Sequence, residues 1–167
     1  MIRLREVLGL RDCLYQDFEN MPGRGVILHP TDYSEPARQA FDLACRIARN
    51  RGDRLIVMNV AEPVRSSSLG MAPAPPLPKG YRGAWESRLH RVRPLDASVQ
   101  VEHRLEEGDV ATAIVRVARE VPCDLIVMSG RQGAWLRGRF RGSITAEVER
   151  NSPCPVLRLH PQSVRKK

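Results

Sequence analysis

Short apolar runs alternate along this chain with longer segments in which apolar residues recur every three or four positions. The runs are led by leucine, isoleucine and valine, which is typical of strands buried on both faces of a parallel sheet. The longer segments carry the spacing of one apolar helix face. The pattern predicts strands at 26–28, at 55–58 within the segment 54–60, at 125–128 and at 154–159, and helices covering 37–48, 81–93, 110–118 and 144–148.

Residues 99–105 show a different pattern, because Val99, Val101 and Leu105 alternate with polar residues. This alternation predicts a half-exposed strand at the edge of a sheet. His103 lies on the same phase, and we interpret it as a partly buried structural residue rather than a ligand.

The order of the predicted elements is β-α-β-loop-α-β-α-β-α-β. Strands and helices that alternate in this way form a parallel sheet with helices on both faces, joined by right-handed crossovers. We therefore predict an α/β fold, a three-layer α/β/α sandwich around a five-stranded parallel sheet. Ligands of such folds bind beyond the carboxyl ends of the strands, where the strand order reverses.

One domain accounts for most of the 167 residues. The predicted domain spans 21–161 and contains a loop at 63–80 that is too rich in proline and serine for a helix or a central strand. Residues 1–20 are interpreted as an N-terminal extension, and 162–167 as a basic tail.

The net charge of +8 favours acidic partners, which include nucleotides, nucleic acid and anionic lipid. Charged residues interrupt the apolar residues near Met1, so we expect no signal peptide. No stretch approaches the roughly 20 apolar residues that cross a bilayer. We therefore expect a cytoplasmic protein without a membrane span.

The four cysteines, Cys13, Cys45, Cys123 and Cys154, are far apart in the sequence and form no Cys-x-x-Cys pair or Cys/His cluster. This spacing supports neither a zinc site nor a redox motif. Cys45 and Cys123 fall in apolar segments and are expected to be buried thiols, which fits a reducing cytoplasm.

A glycine-rich segment follows the predicted strand at 125–128. Gly130, Gly133 and Gly142 allow tight bends and close approach of the backbone to a ligand, and Ser143 is placed to cap the next helix. A strand, a glycine loop and a helix N-terminus together offer backbone N–H groups to a phosphate. The segment also carries four arginines, so a solvated surface loop is the alternative interpretation.

Five segments together resemble the universal stress protein family over residues 24–160. They are Val-Ile-Leu-His-Pro-Thr-Asp at 26–32, Asn59-Val60, Glu106 with Gly108-Asp109, Asp-Leu-Ile-Val-Met at 124–128 and Ser-Pro-Cys-Pro-Val at 152–156. The resemblance implies a Rossmann-like sheet of strand order 3-2-1-4-5, a role in the stress response, and a homodimer joined along the last strand.

The ATP-binding members of that family resemble Gly-x2-Gly-x9-Gly-(Ser/Thr). This chain matches the pattern except that its spacer is eight residues, one fewer than in the family. The resemblance therefore implies binding of ATP or ADP, with or without Mg²⁺. The implied contacts are Pro30, Thr31 and Asp32 at base and ribose, Val60 at adenine, Met128, Ser129, Gly130 and Gly133 at ribose and first phosphates, and Gly142, Ser143 and Ile144 at the outer phosphates.

Each of these roles has a structural alternative. Asp32 is also suited to forming a turn or capping a helix. Val60 and Met128 are equally suited to packing in the core.

The sequence contains no evident nucleophile–base pair or cluster of metal ligands. We therefore interpret the chain as a nucleotide-binding regulator with at most slow ATP hydrolysis. A nucleic-acid-binding protein is one alternative, favoured by the charge and disfavoured by the few aromatic residues. A dimer that binds no nucleotide and acts through partner proteins is another.

The last predicted strand gives an independent reason to expect a dimer. Residues 156–159 follow the fourth strand and its helix, so they should lie at an edge of the sheet. An apolar edge strand is an aggregation hazard unless it is covered. A two-fold partner can cover it by pairing the strand with its own copy.

Overall fold

A computed structural model describes residues 25–62, 80–130 and 144–159 of the chain. All strand pairs in it are parallel, and the strands lie in the order β3-β2-β1-β4-β5. The predicted α/β fold and strand order 3-2-1-4-5 are thus confirmed. In chain order the elements are β1 (Val26–Pro30), α1 (Glu35–Arg51), β2 (Arg54–Ala61), α2 (Tyr81–Leu89), β3 (Val101–Glu107), α3 (Val110–Glu120), β4 (Leu125–Ser129), α4 (Ile144–Asn151) and β5 (Val156–Leu159).

Helices pack on both faces of this sheet. On one face α1 and α2 cover side chains such as Ile27 and Val57, and on the other α3 and α4 cover side chains such as Leu28 and Ile56. Successive residues of a strand therefore enter different cores. This is why the central strands are continuous apolar runs in the sequence.

The predicted caps fix the ends of two helices. The Ser34 hydroxyl accepts the N–H of Ala37 at 3.3 Å at the start of α1, and Gly52, with φ of +70°, ends that helix. The Asp109 carboxylate accepts the N–H of Thr112 at 3.1 Å and starts α3.

The second helix is shorter than predicted. It ends at Leu89 rather than at 93, and the N–H of Val92 then closes a turn onto the Leu89 carbonyl at 3.0 Å. Pro94 keeps the helix from including Arg93, because a proline disfavours the helical conformation of the residue before it. Nε2 of His103 on β3 lies 2.8 Å from the Val92 carbonyl oxygen, which is the structural role predicted for this histidine.

Strands β3 and β5 each begin two residues later than predicted. The N–H of Val99 turns back to the Asp96 carbonyl at 3.3 Å, and Pro155 has no N–H to donate to a ladder. Two side chains are also more exposed than predicted. Ile144 is 44% exposed, and Cys45 is half-buried, whereas Cys123 is buried as expected.

The predicted extension at 1–20, the proline-rich loop apart from Gly80, and the tail at 162–167 lie outside the described residues. Among the helices that the structure describes, none combines the length and the apolar character needed to cross a membrane.

Candidate functional site

The carboxyl ends of β1, β2 and β4 lie side by side, because β1 pairs with β2 on one side and with β4 on the other. The chain fills the sheet outward from β1 in one direction and then from β4 in the other, so the strand order reverses between these two strands. Open α/β sheets bind ligands beyond the strand ends at this point. The predicted site residues Pro30, Val60 and Ser129 lie at or near the three strand ends.

Thr31 begins the turn after β1 and is held by three hydrogen bonds. Its N–H donates to the Met58 carbonyl at 2.8 Å, its carbonyl accepts from Asn59 Nδ2 at 2.6 Å, and its hydroxyl accepts from the Tyr33 N–H at 3.1 Å. Only 8% of the residue is exposed. The start of this turn is therefore fixed against β2.

Asp32 lies at the exposed rim of the same turn. Its Oδ1 accepts the N–H of Ser34 at 3.0 Å, across Tyr33, whose φ is +62°. A left-handed backbone is unusual for a bulky residue, and the Tyr33 ring is covered by the Arg88 guanidinium at 4.1 Å. The turn-forming alternative for Asp32 is therefore observed, and its contact with a ligand stays a prediction.

Two buried polar residues at these strand ends were missed in the sequence. His29 is fully buried, with Nδ1 placed 2.8 Å from the Val127 carbonyl oxygen. Asn59 is 7% exposed, and only its Nδ2 donates to Thr31. His29 Nε2 and Asn59 Oδ1 have no hydrogen-bond partner among the described residues. The signal that could have found them is a polar residue at the carboxyl end of an otherwise apolar run.

Burial governs the ionisation of His29. It lowers the pKa of the imidazole to about 4, against smaller opposing effects of the Val127 carbonyl and the Asp32 charge. The ring is therefore neutral at pH 7, with one nitrogen donating to Val127 and the other able only to accept.

Val60 and Met128 belong to the core on the α3 and α4 face. Met128 is 6% exposed and packs within that core, while Val60 is half-buried and packs against it. Their packing role, the alternative considered for both, is therefore observed. Val60 retains the exposed surface that a ligand contact would need.

The end of β4 is tied to its neighbours on both sides. The N–H of Gly130 donates to the Leu159 carbonyl of β5 at 2.8 Å. The hydroxyl of Thr145, which is 4% exposed, donates to the Ser129 carbonyl at 3.4 Å. Thr145 was not among the predicted site residues, yet it connects the first turn of α4 with the strand end.

Gly130 is needed for space rather than for its backbone angles. A Cβ atom built on it would lie 2.8 Å from Cδ and 3.0 Å from Cγ of Arg158. The arginine stem thus covers the first glycine of the loop. Gly133, Gly142 and Ser143, the remaining predicted loop contacts, lie outside the described residues.

No group of three or more histidine, cysteine or acidic side chains suited to holding a metal ion occurs in the described parts of the chain. The site as described offers backbone groups, neutral polar atoms and one exposed carboxylate. Such groups are suited to binding and orienting a ligand.

Comparison with known proteins decides the family. The sequence model described as "Universal stress protein family" matches residues 23–160. This chain belongs to the universal stress protein family. A Staphylococcus aureus protein named as a universal stress protein is 34% identical over 136 residues, which cover 78% of this chain and 81% of that protein.

Solved universal stress proteins share the fold. One described as a complex with cAMP is 24% identical, has a TM-score of 0.62, and covers 83% of this chain and 98% of its own. Another, from Archaeoglobus fulgidus and described as a complex with dAMP, is 19% identical, has a TM-score of 0.53, and covers 83% of this chain and 99% of its own. At these identities the likeness establishes the fold alone.

Proposed function

We propose that this universal stress protein binds an adenine nucleotide at the carboxyl ends of β1, β2 and β4 and acts as a cytoplasmic regulator in the stress response. The observation that carries the proposal is the fixed turn at Thr31, located where the strand order reverses. Its hydrogen bonds to Met58 and Asn59 hold the backbone in place. A preformed surface lowers the entropic cost of binding.

The proposed contacts follow from the order of the strand ends. The base and ribose lie over the turn after β1 and the exposed part of Val60, and the phosphates extend over the end of β4 towards α4. Asn59 holds the turn from beneath, since it is buried and its Nδ2 donates to the Thr31 carbonyl. The proposed set is Pro30, Thr31, Asp32, Val60, Met128, Ser129, Gly130, Gly133, Gly142, Ser143 and Ile144.

The relatives support an adenine nucleotide. The two solved neighbours are described with cAMP and with dAMP, which both consist of adenine, a sugar and one phosphate. For this chain we propose ATP or ADP, with or without Mg²⁺, as the ligand of the glycine loop. We further propose at most slow hydrolysis, since His29 is fully buried and its pKa, lowered to about 4, makes it a weak base.

Nucleic acid is less favoured as a ligand by the surface that the structure describes. Arg104 and Arg116 each contact both Glu106 and Glu120, in a closed ring of four charges across β3 and α3. These arginines are neutralised by carboxylates, so they contribute little attraction for a phosphate backbone.

Calorimetry on the purified chain tests the ligand. We expect ATP and ADP to bind with saturable heat and weak dependence on salt, and a random single-stranded oligonucleotide to show no saturable binding. The affinities of AMP and cAMP, measured in the same way, show how much the outer phosphates of ATP and ADP contribute to the affinity. Binding of the oligonucleotide alone, with affinity falling steeply in salt, would replace the nucleotide proposal by the nucleic-acid one.

A homodimer along β5 is part of the proposal. β5 lies at an edge of the sheet, and its Val156 and Arg158 are only partly buried. Light scattering at micromolar concentration is expected to give twice the chain mass. A chain mass of one protomer under those conditions would contradict the dimer.

A further inference from the structure

Two cysteines far apart in the sequence meet at the amino ends of the last two strands. The Sγ atoms of Cys123 and Cys154 lie 2.8 Å apart, and both residues are free thiols. The sequence separation of 31 residues concealed this pair, because the spacing of the cysteines shows no redox motif.

The fold fixes this approach from both sides. Cys123 lies two residues before β4, and Cys154 lies two residues before the neighbouring β5. The Asp124 N–H donates to the Val26 carbonyl at 2.9 Å, and the Ile126 N–H donates to the Pro155 carbonyl at 3.0 Å. Since a disulfide has a sulfur–sulfur distance of about 2.05 Å, the two sulfurs need to approach by less than about 1 Å.

We propose that Cys123 and Cys154 are a modification site that a hydroperoxide converts into a reversible intrachain disulfide. The site lies at the opposite end of the sheet from the proposed nucleotide site and uses none of its residues. Disulfides of cytoplasmic proteins are mostly transient and redox-sensing, which suits a protein of a stress family.

The two thiols have different parts in the reaction. Cys154 is half-buried and reachable, whereas Cys123 is buried at 9% exposure. The Cys123 S–H stabilises the Cys154 thiolate and lowers the pKa of Cys154, against burial and the Asp124 charge. The same contact raises the pKa of Cys123. Cys154 is therefore the nucleophile and Cys123 the resolving thiol.

The chemistry balances with the peroxide as the only oxidant. The Cys154 thiolate attacks one peroxide oxygen, the O–O bond breaks, and hydroxide leaves a sulfenic acid behind. Cys123 gives its proton to this hydroxide and attacks the sulfenic sulfur, so that the S–S bond forms as the S–O bond breaks. The second hydroxide that leaves takes up the proton that Cys154 released when it ionised. Two thiols lose two electrons in total, and one hydrogen peroxide becomes two waters.

The bond would close a loop that contains β4 and α4 and would fasten the edge strand β5 at its start. Cross-linking a loop of this length stabilises a protein mainly by restricting its unfolded chain. We therefore expect the oxidised form to melt at a higher temperature than the reduced form.

The test treats reduced, full-length protein with hydrogen peroxide, blocks the remaining thiols by alkylation, and maps the peptides by mass spectrometry. We expect the Cys123 and Cys154 peptides to be joined, with loss of two hydrogens and full reversal by a thiol reductant. Cys45→Ser is the matched control and should form the same link, because burial raises the pKa of Cys45 to about 12 and leaves it unreactive.

Cys123→Ser should stop at a sulfenic acid on Cys154 that dimedone traps, and Cys154→Ser should lose the rise in melting temperature on oxidation. At pH 7, iodoacetamide should modify Cys154 about tenfold or more faster than Cys45. Wild-type protein in which peroxide oxidises another cysteine first, or links either thiol to a different partner, would overturn the proposal.

Discussion

The two ends of the sheet use polar side chains in opposite ways. At the amino end, Asp53 and Asp124 accept the backbone N–H groups of Gly25 and Val26, each at 2.8 Å, and Asp53 also pairs with Arg51 at 2.8 Å. At the carboxyl end, the uncharged side chains of His29 and Asn59 each leave one polar atom without a hydrogen-bond partner among the described residues. The buried atoms of Arg51 and Asp53 that lack a hydrogen bond at the amino end belong instead to an ion pair.

This difference separates side chains that hold the fold from side chains that lie beneath the proposed ligand site. Asp53 and Asp124 precede β2 and β4 and bind backbone N–H groups at the start of β1, so removing either leaves a part-buried donor unpaired. An unsatisfied acceptor beside a strand exit costs stability unless something binds it. Substitutions at the amino end should therefore change stability alone, whereas those at the carboxyl end should change affinity wherever the side chain contacts or positions the ligand.

Asp53→Ala should have the largest effect. Arg51 and Asp53 have side chains only 2% and 0% exposed, and loss of one partner leaves a buried charge, which costs about 3–5 kcal/mol. Urea unfolding measures this loss, with the exposed Asp42→Ala as control. Unchanged stability in Asp53→Ala would break the distinction between the two ends.

His29→Leu should have the next largest effect, on the pH dependence of stability, although His29 lies at the carboxyl end of the sheet. Its folded pKa of about 4 is below the ordinary value of 6.5, so the unfolded chain binds more protons and stability falls as the pH falls through this range. The contribution lost between pH 7 and pH 4 is about 3 kcal/mol. His29→Leu should remove this part of the pH dependence in urea unfolding measured across the range, and an identical pH profile would contradict the buried, neutral ring.

Asp32→Ala should lower affinity and leave stability nearly unchanged. We expect ATP and ADP to be weakened equally, by roughly 1–3 kcal/mol, because the proposed contact is to sugar or base. Calorimetry beside the exposed control Asp96→Ala measures the change. A loss confined to ATP would place Asp32 at the phosphates instead.

Thr145→Val should have the smallest effect. The hydroxyl bond to the Ser129 carbonyl is long, at 3.4 Å, so its loss should cost about 0.5–1 kcal/mol of unfolding free energy. Nucleotide affinity should fall as well if this bond positions the first turn of α4 for phosphate. A stability loss with unchanged affinity would assign Thr145 to the fold alone.

The fold was predictable because hydrophobic periodicity is local. The apolar runs around Ile27, Leu55 and Ile126 specify strands, and the caps at Ser34 and Asp109 specify where helices begin. The turn after β1 was also predictable, since proline, threonine and aspartate follow an apolar run.

The polar partners could not be predicted from the sequence. The contact of His29 with Val127 joins residues 98 positions apart, and the thiol pair depends on how β4 and β5 are aligned. Such contacts depend on how neighbouring strands are aligned in the folded protein, and the hydrophobic periodicity of each separate segment does not determine this alignment.

Arg158 lies where the proposed nucleotide site and the proposed dimer interface meet. Its stem lies over Gly130 at the start of the glycine loop, while its backbone is part of the edge strand proposed to join two protomers. Subunit pairing that fixes this side chain would change nucleotide affinity by some factor, and nucleotide would then change the dimerisation constant by the same factor. Dimerisation and nucleotide binding would thus be coupled in one thermodynamic cycle, and the Arg158 side chain would be the group that couples them.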